Sequence, residues 1–188
     1  MNYPKVIAIS GASGSGKTTI IKQLATAFNC SFLLFDDHKN KDTYPQNMKD
    51  WLEDGSNVSL IKTPDFITAL EALILNSTGD YIFVEEPFGK ERDPMSALID
   101  YVVLLDQPLE LCLTRIIKRY VDKPHSNSLN NISNFLDKYE AYLRDIYISA
   151  VEQVKSNSDL IVNEVLSVEE LTRVIGEWLH QINSSSFK

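Results

Sequence analysis

The chain reads Gly11-Ala12-Ser13-Gly14-Ser15-Gly16-Lys17-Thr18 near its start, which matches the G-x-x-x-x-G-K-[ST] pattern of a phosphate-binding P-loop. The apolar residues 6–9 precede the motif and are typical of a buried strand. The residues after it, between Ile20 and Phe28, repeat their apolar positions at helical spacing. A strand before the glycines and a helix after them distinguish a true P-loop from a chance glycine-rich turn.

Each residue type in this motif has a physical role in binding phosphate. Glycine lets the backbone turn tightly, so that its N–H groups reach phosphate oxygens. The helix that follows adds its positive N-terminal end. We expect Lys17 to reach the β- and γ-phosphates and the Thr18 hydroxyl to ligate Mg²⁺. With Thr19 included, the motif predicts a site for ATP and Mg²⁺, although it does not distinguish ATP from GTP.

The composition limits the possible partners and compartments. The chain has 188 residues, of which 44% are apolar, which fits one α/β domain. Its net charge of −8 argues against nucleic acid as a partner, because such proteins favour a basic surface. Cys30 and Cys112 are far apart and fit no metal or redox spacing. Without a signal-peptide pattern or a run of transmembrane length, we expect a cytoplasmic protein that does not contact membranes.

Strand patterns alternate with helical patterns along the chain, which predicts a parallel sheet with helices on both faces. The predicted strands are 5–9, 31–35, 81–85, 101–105 and 160–162. Helical spacing covers 109–120, 132–150 and 168–182. We expect a single domain with a substrate loop at about 38–59, a short lid at about 121–131 and a frayed tail at 183–188.

A P-loop that binds Mg²⁺ requires a second acid, and the third predicted strand ends on Glu85. Ligands of open α/β sheets bind outside the carboxyl ends of the strands, which makes Glu85 the predicted acid beside Mg²⁺. Glu86 follows directly, but the alternation of side chains along a strand directs it elsewhere. The competing interpretation is that both acids lie in a solvated loop.

Two further acids, Asp36 and Asp37, follow the second predicted strand. That strand should lie near the P-loop strand, which would place a carboxylate close to the γ-phosphate. In a phosphotransferase, such a group accepts or orients the proton of the attacking hydroxyl. The same residues could instead cap a turn or the next helix. The sequence leaves these two interpretations open.

A basic face lies on the helix predicted over 109–120. Arg115, Lys118 and Arg119 stand at i, i+3 and i+4, which places them together. Their position just before the predicted lid suggests that a guanidinium closes over the transferring phosphoryl group. The alternative is an ordinary solvated helix face.

Together these motifs resemble the uridine kinase and nicotinamide riboside kinase branch of P-loop kinases, over about residues 5–165. The resemblance rests on the P-loop, Asp36-Asp37, Val84-Glu85 and the pattern Arg115-x-x-x-Arg119-x-x-x-x-Pro124. It implies a five-stranded parallel sheet and transfer of a phosphoryl group from ATP to a small hydroxyl compound, typically a ribosyl 5′-hydroxyl. It also implies Asp36 as the base, Glu85 near Mg²⁺, and Arg115 or Arg119 as a lid cation.

The sequence departs from this family at two places near the expected acceptor site. His38 and Lys39 follow the aspartates where the family usually has an aromatic residue, and Glu86 stands where it usually has glycine. These departures leave the identity of the acceptor open.

Several side chains are candidates for contacting a flat acceptor. Tyr44, Trp51 and Tyr120 can stack on a ring, although packing in the core or at a hinge is the alternative for Trp51 and Tyr120. His38 stands beside the two aspartates and can contact the substrate, or it is a surface histidine.

Three classes of function fit these observations. The first is an ATP-dependent kinase that phosphorylates a nucleoside or ribosyl-like metabolite as a monomer or homodimer. The second is a P-loop kinase acting on a nucleoside monophosphate or a vitamin precursor. The third is a nucleotide-binding regulatory protein. A GTPase switch would require an Asn-Lys-x-Asp motif at a strand end, and the sequence has none.

Overall fold

The computed structural model describes residues 3–122 and 128–185 and contains one five-stranded parallel sheet in the order β2-β3-β1-β4-β5. The strands are β1 (Lys5–Ser10), β2 (Ser31–Leu33), β3 (Tyr81–Glu85), β4 (Tyr101–Leu105) and β5 (Leu160–Val162). The predicted sheet is therefore confirmed. The second strand is shorter than expected, because the chain turns into a 3₁₀ helix at Phe35–Asp37.

Helices connect the strands, as parallel pairing requires. In the described ranges they are α1 (Lys17–Phe28), α2 (Met48–Glu53), α3 (Pro64–Asn76), α4 (Met95–Leu98), α5 (Leu109–Asp122), α6 (Ser128–Lys138), α7 (Arg144–Lys155) and α8 (Val168–Ser185). A π-helical segment, Tyr139–Leu143, joins α6 to α7, so the helix predicted over 132–150 is present with a widened turn. None of the described helices is long and apolar enough to cross a bilayer.

The core consists of two apolar layers, one on each face of the sheet. Alternate residues of β1 face opposite layers, because the side-chain period of a strand is two. Val6 and Ala8 belong to the layer that includes α3 and α7, whereas Ile7 and Ile9 belong to the layer of α1 and α8. The helices thus cover both faces, as the sequence predicts.

Two segments differ from their sequence-based expectation. The polar stretch 38–59 contains α2 and buries Trp51, so it is folded in part. At the other end, α8 continues through Ser185, and the Asn183 amide donates a hydrogen bond to the Tyr81 hydroxyl. Residues 183–185 therefore belong to α8, and Asn183 has a partner on β3.

The predicted lid at 121–131 stays a prediction. Val121 and Asp122 end α5, and residues 128–131 begin α6. The segment between them, 123–127, lies outside the described residues, as does 186–188 of the predicted tail.

Candidate active site

The P-loop connects β1 to α1 and lies against the carboxyl end of β4 and the start of α5. Gly11, Gly14 and Gly16 have φ angles of +135°, +86° and +105°, which favour glycine. A Cβ atom on Gly11 would lie 2.6 Å from the Leu105 carbonyl oxygen, and one on Gly14 would collide with the Cys112 carbonyl. Both the conformation and the close backbone approach therefore require glycine at positions 11 and 14.

Lys17 is held above this loop by the backbone. Its side chain is only 7% exposed, and its Nζ donates to the carbonyl oxygens of Gly11 and Ala12, each at 3.0 Å. Burial lowers the pKa of Lys17, whereas the carboxylates of Glu85 and Asp36 oppose that shift. The ammonium group is therefore desolvated and surrounded by acceptors, a state in which an incoming anion is strongly attracted.

Glu85 lies beside the P-loop because β3 pairs with β1 in a register that sets Glu85 opposite Ile9. The Thr18 hydroxyl lies 3.3 Å from both carboxylate oxygens of Glu85, and Lys17 Nζ is 3.8 Å from Oε1. Burial raises the pKa of Glu85, and Lys17 opposes this shift. A hydroxyl and a carboxylate oxygen in contact are the hard ligands that Mg²⁺ prefers, so the donor set fits the predicted metal.

The Ser15 hydroxyl supports the interpretation of this loop as an anion site. It is buried and has no hydrogen-bond partner in the described part of the chain. Buried polar groups are nearly always paired, so an unpaired hydroxyl in a glycine-rich loop fits the place of a missing phosphate oxygen.

A cavity of about 360 Å³, which we call the loop cavity, opens in front of the P-loop. It is lined by Ser13, Gly14, Gly16, Lys17, Thr18, Thr19, Asp36, Glu85 and Arg119. The structure thus brings most of the predicted phosphate and metal residues together around one space. Gly11, Ala12 and Ser15 belong to the same loop but do not line this cavity.

The two aspartates after β2 differ in direction because the chain forms a 3₁₀ helix there. Asp36 lines the loop cavity, and Asp37 does not. The Asp36 side chain is 67% exposed and accepts a hydrogen bond from Lys39 Nζ at 2.9 Å. The geometry therefore favours Asp36 as the carboxylate that faces the phosphates.

The basic face of α5 divides into residues that meet the P-loop and one that does not. Arg115 Nη1 donates to the carbonyl oxygens of Gly14 and Ser15 at 3.3 and 3.2 Å. Arg119 lines the loop cavity, whereas Lys118 is exposed and does not line it. Arg119 is thus the basic residue of α5 that lines the loop cavity.

A second cavity of about 350 Å³, which we call the apolar cavity, lies on the other side of Asp36. Its polar lining consists of Ser13, Lys17, Asp36, Lys39 and Glu85, together with the P-loop backbone at Gly11 and Ala12. The remaining lining residues are Phe35, Tyr44, Met48, Trp51, Ile61, Pro87, Phe88, Leu143, Ile146, Tyr147 and Ala150. They come from several separate parts of the chain, whereas the phosphate-binding loop is one continuous segment.

Of the four candidates for acceptor contact, two line the apolar cavity and two do not. Tyr44 and Trp51 line it, although the Trp51 ring N–H already donates to the Asn57 carbonyl at 2.8 Å. His38 packs edge-on against Phe66, and Tyr120 packs against Phe135. Neither His38 nor Tyr120 lines either cavity, because both side chains are used in local packing.

A buried ion pair beneath the apolar cavity was not found from the sequence. Glu86 and Arg92 are 0% and 1% exposed, and Arg92 Nε and Nη2 donate to the two Glu86 carboxylate oxygens at 3.1 and 2.5 Å. Burial raises the pKa of Glu86, and the guanidinium opposes this shift. Glu86 therefore turns away from the P-loop, as strand alternation predicts. It is the acid of a buried salt bridge, and the interpretation of Glu86 as a solvated loop acid is wrong.

Arg92 also fixes the wall of the apolar cavity. Its Nη1 donates to the Ile61 carbonyl at 2.9 Å and to the Thr63 hydroxyl at 3.1 Å. Its guanidinium carbon lies 5.5 Å from the ring centre of Phe35 and 5.8 Å from that of Phe88, within the range of cation–π contacts. No local pattern marks this role of Arg92, because Phe35, Ile61 and Thr63 lie far from it in the sequence.

Comparisons with known proteins support the predicted resemblance. The uridine kinase of Borreliella burgdorferi is 27% identical, covering 85% of this chain and 86% of that enzyme. The uridine kinase of Staphylococcus epidermidis is 26% identical, covering 87% of this chain and 89% of that enzyme. A Thermus thermophilus protein of solved structure superposes with a TM-score of 0.54 at 19% identity, covering 96% and 98% of the two chains.

No protein-family model matches the chain. The predicted similarity is nevertheless confirmed by the curated relatives, because the match extends over most of both sequences. The protein therefore has an α/β P-loop fold and resembles the uridine kinases over most of its length.

Proposed function

We propose that this protein is a kinase that uses ATP and Mg²⁺ to phosphorylate a hydroxyl group of a small molecule. One observation carries the proposal: Ser13, Lys17, Asp36 and Glu85 line both the loop cavity and the apolar cavity. A nucleotide phosphate in the first space and an alcohol in the second would meet at these side chains. A regulatory protein that only binds a nucleotide has no need of the second space.

The residues at this shared wall have separate roles in the transfer. Asp36 orients the acceptor hydroxyl and accepts its proton, while the hydroxyl oxygen of the acceptor forms a bond to the γ-phosphorus. The bond from that phosphorus to the β,γ-bridging oxygen breaks, and ADP leaves. Lys17 and Arg119 stabilise the charge on the transferred group. When bound through Thr18 and Glu85, Mg²⁺ would neutralise charge on the phosphate oxygens.

The curated relatives are uridine kinases, so the acceptor class that we propose to test first is a nucleoside or ribosyl-like metabolite. A nucleoside monophosphate or a vitamin precursor is the alternative. We further propose that the enzyme is cytoplasmic and acts as a monomer or homodimer on its small-molecule substrate. The free thiols of Cys30 and Cys112 fit a reducing compartment.

The proposal is tested by acceptor-stimulated ATP turnover. ADP release with Mg-ATP should be slow alone and should rise when an alcohol acceptor is added. We expect Asp36→Asn to lower the stimulated rate by about 10²-fold, the lower end of the range for a positioned base, because phosphoryl transfer has a loose transition state. The matched control is Asp37→Asn, which should stay close to the wild-type rate.

The results that contradict this proposal are equally specific. If no hydroxyl compound raises ADP release, the protein is not a kinase of this kind. If Asp37→Asn produces the large loss and Asp36→Asn is silent, the wrong carboxylate has been assigned.

Arg119 should act mainly in the transition state. We expect Arg119→Ala to lower kcat by about 10²-fold, because it removes a cation where charge develops. Arg119→Lys should restore only part of the rate, since an ammonium lacks the planar fork of the guanidinium. Steady-state kinetics measure the kcat of each variant. Lys118→Ala is the control, because Lys118 neighbours Arg119 but does not line the loop cavity. Equal kcat values for the Arg119 and Lys118 variants would show that this helix face is an ordinary solvated surface.

A further inference from the structure

We infer that the acceptor is an alcohol carried by an apolar ring, and not a nucleoside whose base is recognised through hydrogen bonds. This inference rests on the proposed kinase function and concerns the body of the acceptor, away from its reacting hydroxyl. The observation behind it is the distribution of polar side chains around the apolar cavity.

Apart from Lys39, the charged side chains of this cavity lie, with Ser13, at its shared wall with the loop cavity. Ser13, Lys17, Asp36 and Glu85 line both spaces, and Lys39 is paired with Asp36. These groups are arranged to act on a hydroxyl and a phosphoryl group. They are therefore committed to the reacting end of the acceptor.

The rest of the lining offers few free hydrogen-bonding side chains among the described residues. The Trp51 ring N–H is bound to the Asn57 carbonyl. The hydroxyls of Tyr44 and Tyr147 remain, two groups against the three polar groups on the edge of a uracil ring, and burial raises the pKa of both tyrosines, which keeps them neutral.

A uracil base presents carbonyl oxygens and an N–H group along one edge. In this cavity those groups would face side chains such as Met48, Ile61, Phe88 and Ile146. Polar groups buried without partners lower affinity, whereas an apolar ring gains from the same contacts. Binding sites discriminate strongly when a ligand leaves polar groups unpaired, so the lining favours the apolar ring.

The departures from the family pattern are consistent with this assignment. Glu86, which replaces the usual glycine, binds Arg92, and Arg92 stacks on Phe35 and Phe88. Both of these rings line the apolar cavity. The Glu86 carboxylate therefore acts through Arg92, which packs against the two rings that line the cavity, and Glu86 itself does not line the cavity.

The transfer itself is that of the proposed kinase. The alcohol oxygen bonds to the γ-phosphorus of ATP, the bond to the bridging oxygen breaks, ADP leaves, and the hydroxyl proton passes to Asp36. The products are ADP and the phosphate monoester of the ring alcohol.

Fluorescence of Trp51 tests the inference by binding alone. Trp51 lines the apolar cavity, whereas Trp178 packs edge-on against Tyr101 in the other core layer. A Trp178→Phe variant therefore isolates the cavity signal. With a non-hydrolysable ATP analogue present, 4-tert-butylbenzyl alcohol and cyclohexylmethanol should each bind at least about tenfold more tightly than uridine. The same order should hold in kcat/KM with Mg-ATP.

A paired substitution locates the contact. Met48 and Leu52 lie on α2 and are both half-buried, but only Met48 lines the apolar cavity. Met48→Gln should weaken binding of the ring alcohols severalfold, and Leu52→Gln should leave it unchanged.

The outcomes separate this inference from the function on which it rests. If uridine binds and reacts better than both ring alcohols, the inference is overturned while the kinase function stands. If the ring alcohols change Trp51 fluorescence but no alcohol raises ADP release, the cavity assignment is supported and the kinase function fails. Equal effects of Met48→Gln and Leu52→Gln would place the ring elsewhere and overturn the inference.

Discussion

A Lys17→Ala variant is expected to lose phosphoryl transfer, by at least about 10³-fold in kcat. The Lys17 ammonium is the buried cation of the loop cavity and lies 3.8 Å from the Glu85 carboxylate. Its removal leaves the negative charge of the transition state without its nearest buried counter-charge. A rate measured with saturating Mg-ATP and an active acceptor checks this expectation.

The fold should survive this change, because Glu85 lines the loop cavity and can be solvated there once the ammonium is gone, unlike the fully buried Glu86. The melting temperature should therefore stay near the wild-type value. Lys22→Ala is the matched control, since Lys22 lies on the same helix and is exposed. A Lys17→Ala protein that melts normally and turns over near the wild-type rate would contradict the P-loop assignment.

The second large effect concerns stability. Glu86→Gln should lower the free energy of unfolding by about 3–5 kcal/mol, because it leaves the buried Arg92 guanidinium without a counter-charge. Arg92→Met should cost a similar amount, because it leaves the buried Glu86 carboxylate without its cation. Urea denaturation, followed by circular dichroism, measures both losses.

Double substitution distinguishes an ion pair from two independent packing residues. Glu86→Gln combined with Arg92→Met should recover much of the loss, since the double variant buries no unpaired charge. The control is Glu177→Gln, which breaks an exposed pair with Arg173 whose side chains are 58% and 63% exposed, and should change stability by less than about 1 kcal/mol. A double variant as unstable as the sum of the single ones would show that the pair is not coupled.

The sheet could be predicted from the sequence because each strand is a short apolar run next to a helical pattern. Strands β3, β4 and β5 have the bounds expected from their residues alone. The P-loop was equally evident, since its residues are adjacent and each has a local role. Helix α2 was not predicted, because it has only six residues and half of them are charged.

The residues that line the candidate site could be identified only from the three-dimensional structure. Asp36 and Asp37 are neighbours in sequence, and only the 3₁₀ turn after β2 decides which of them lines the loop cavity. Arg92 acquires its role from Glu86 and from Ile61 and Thr63, which lie about thirty residues earlier in the chain. Such long-range partners leave no periodic signal, so the acceptor side could not be derived from the sequence.

The two cavities differ in how the chain builds them, and this difference has a consequence for engineering. The phosphate-binding loop is one continuous turn whose glycines are fixed by contacts with Leu105 and Cys112. The apolar cavity is assembled from scattered segments, so a residue such as Met48 can be exchanged without altering that turn. If the proposed kinase function holds, libraries confined to these segments should redirect the protein toward new alcohols while the chemical step is retained.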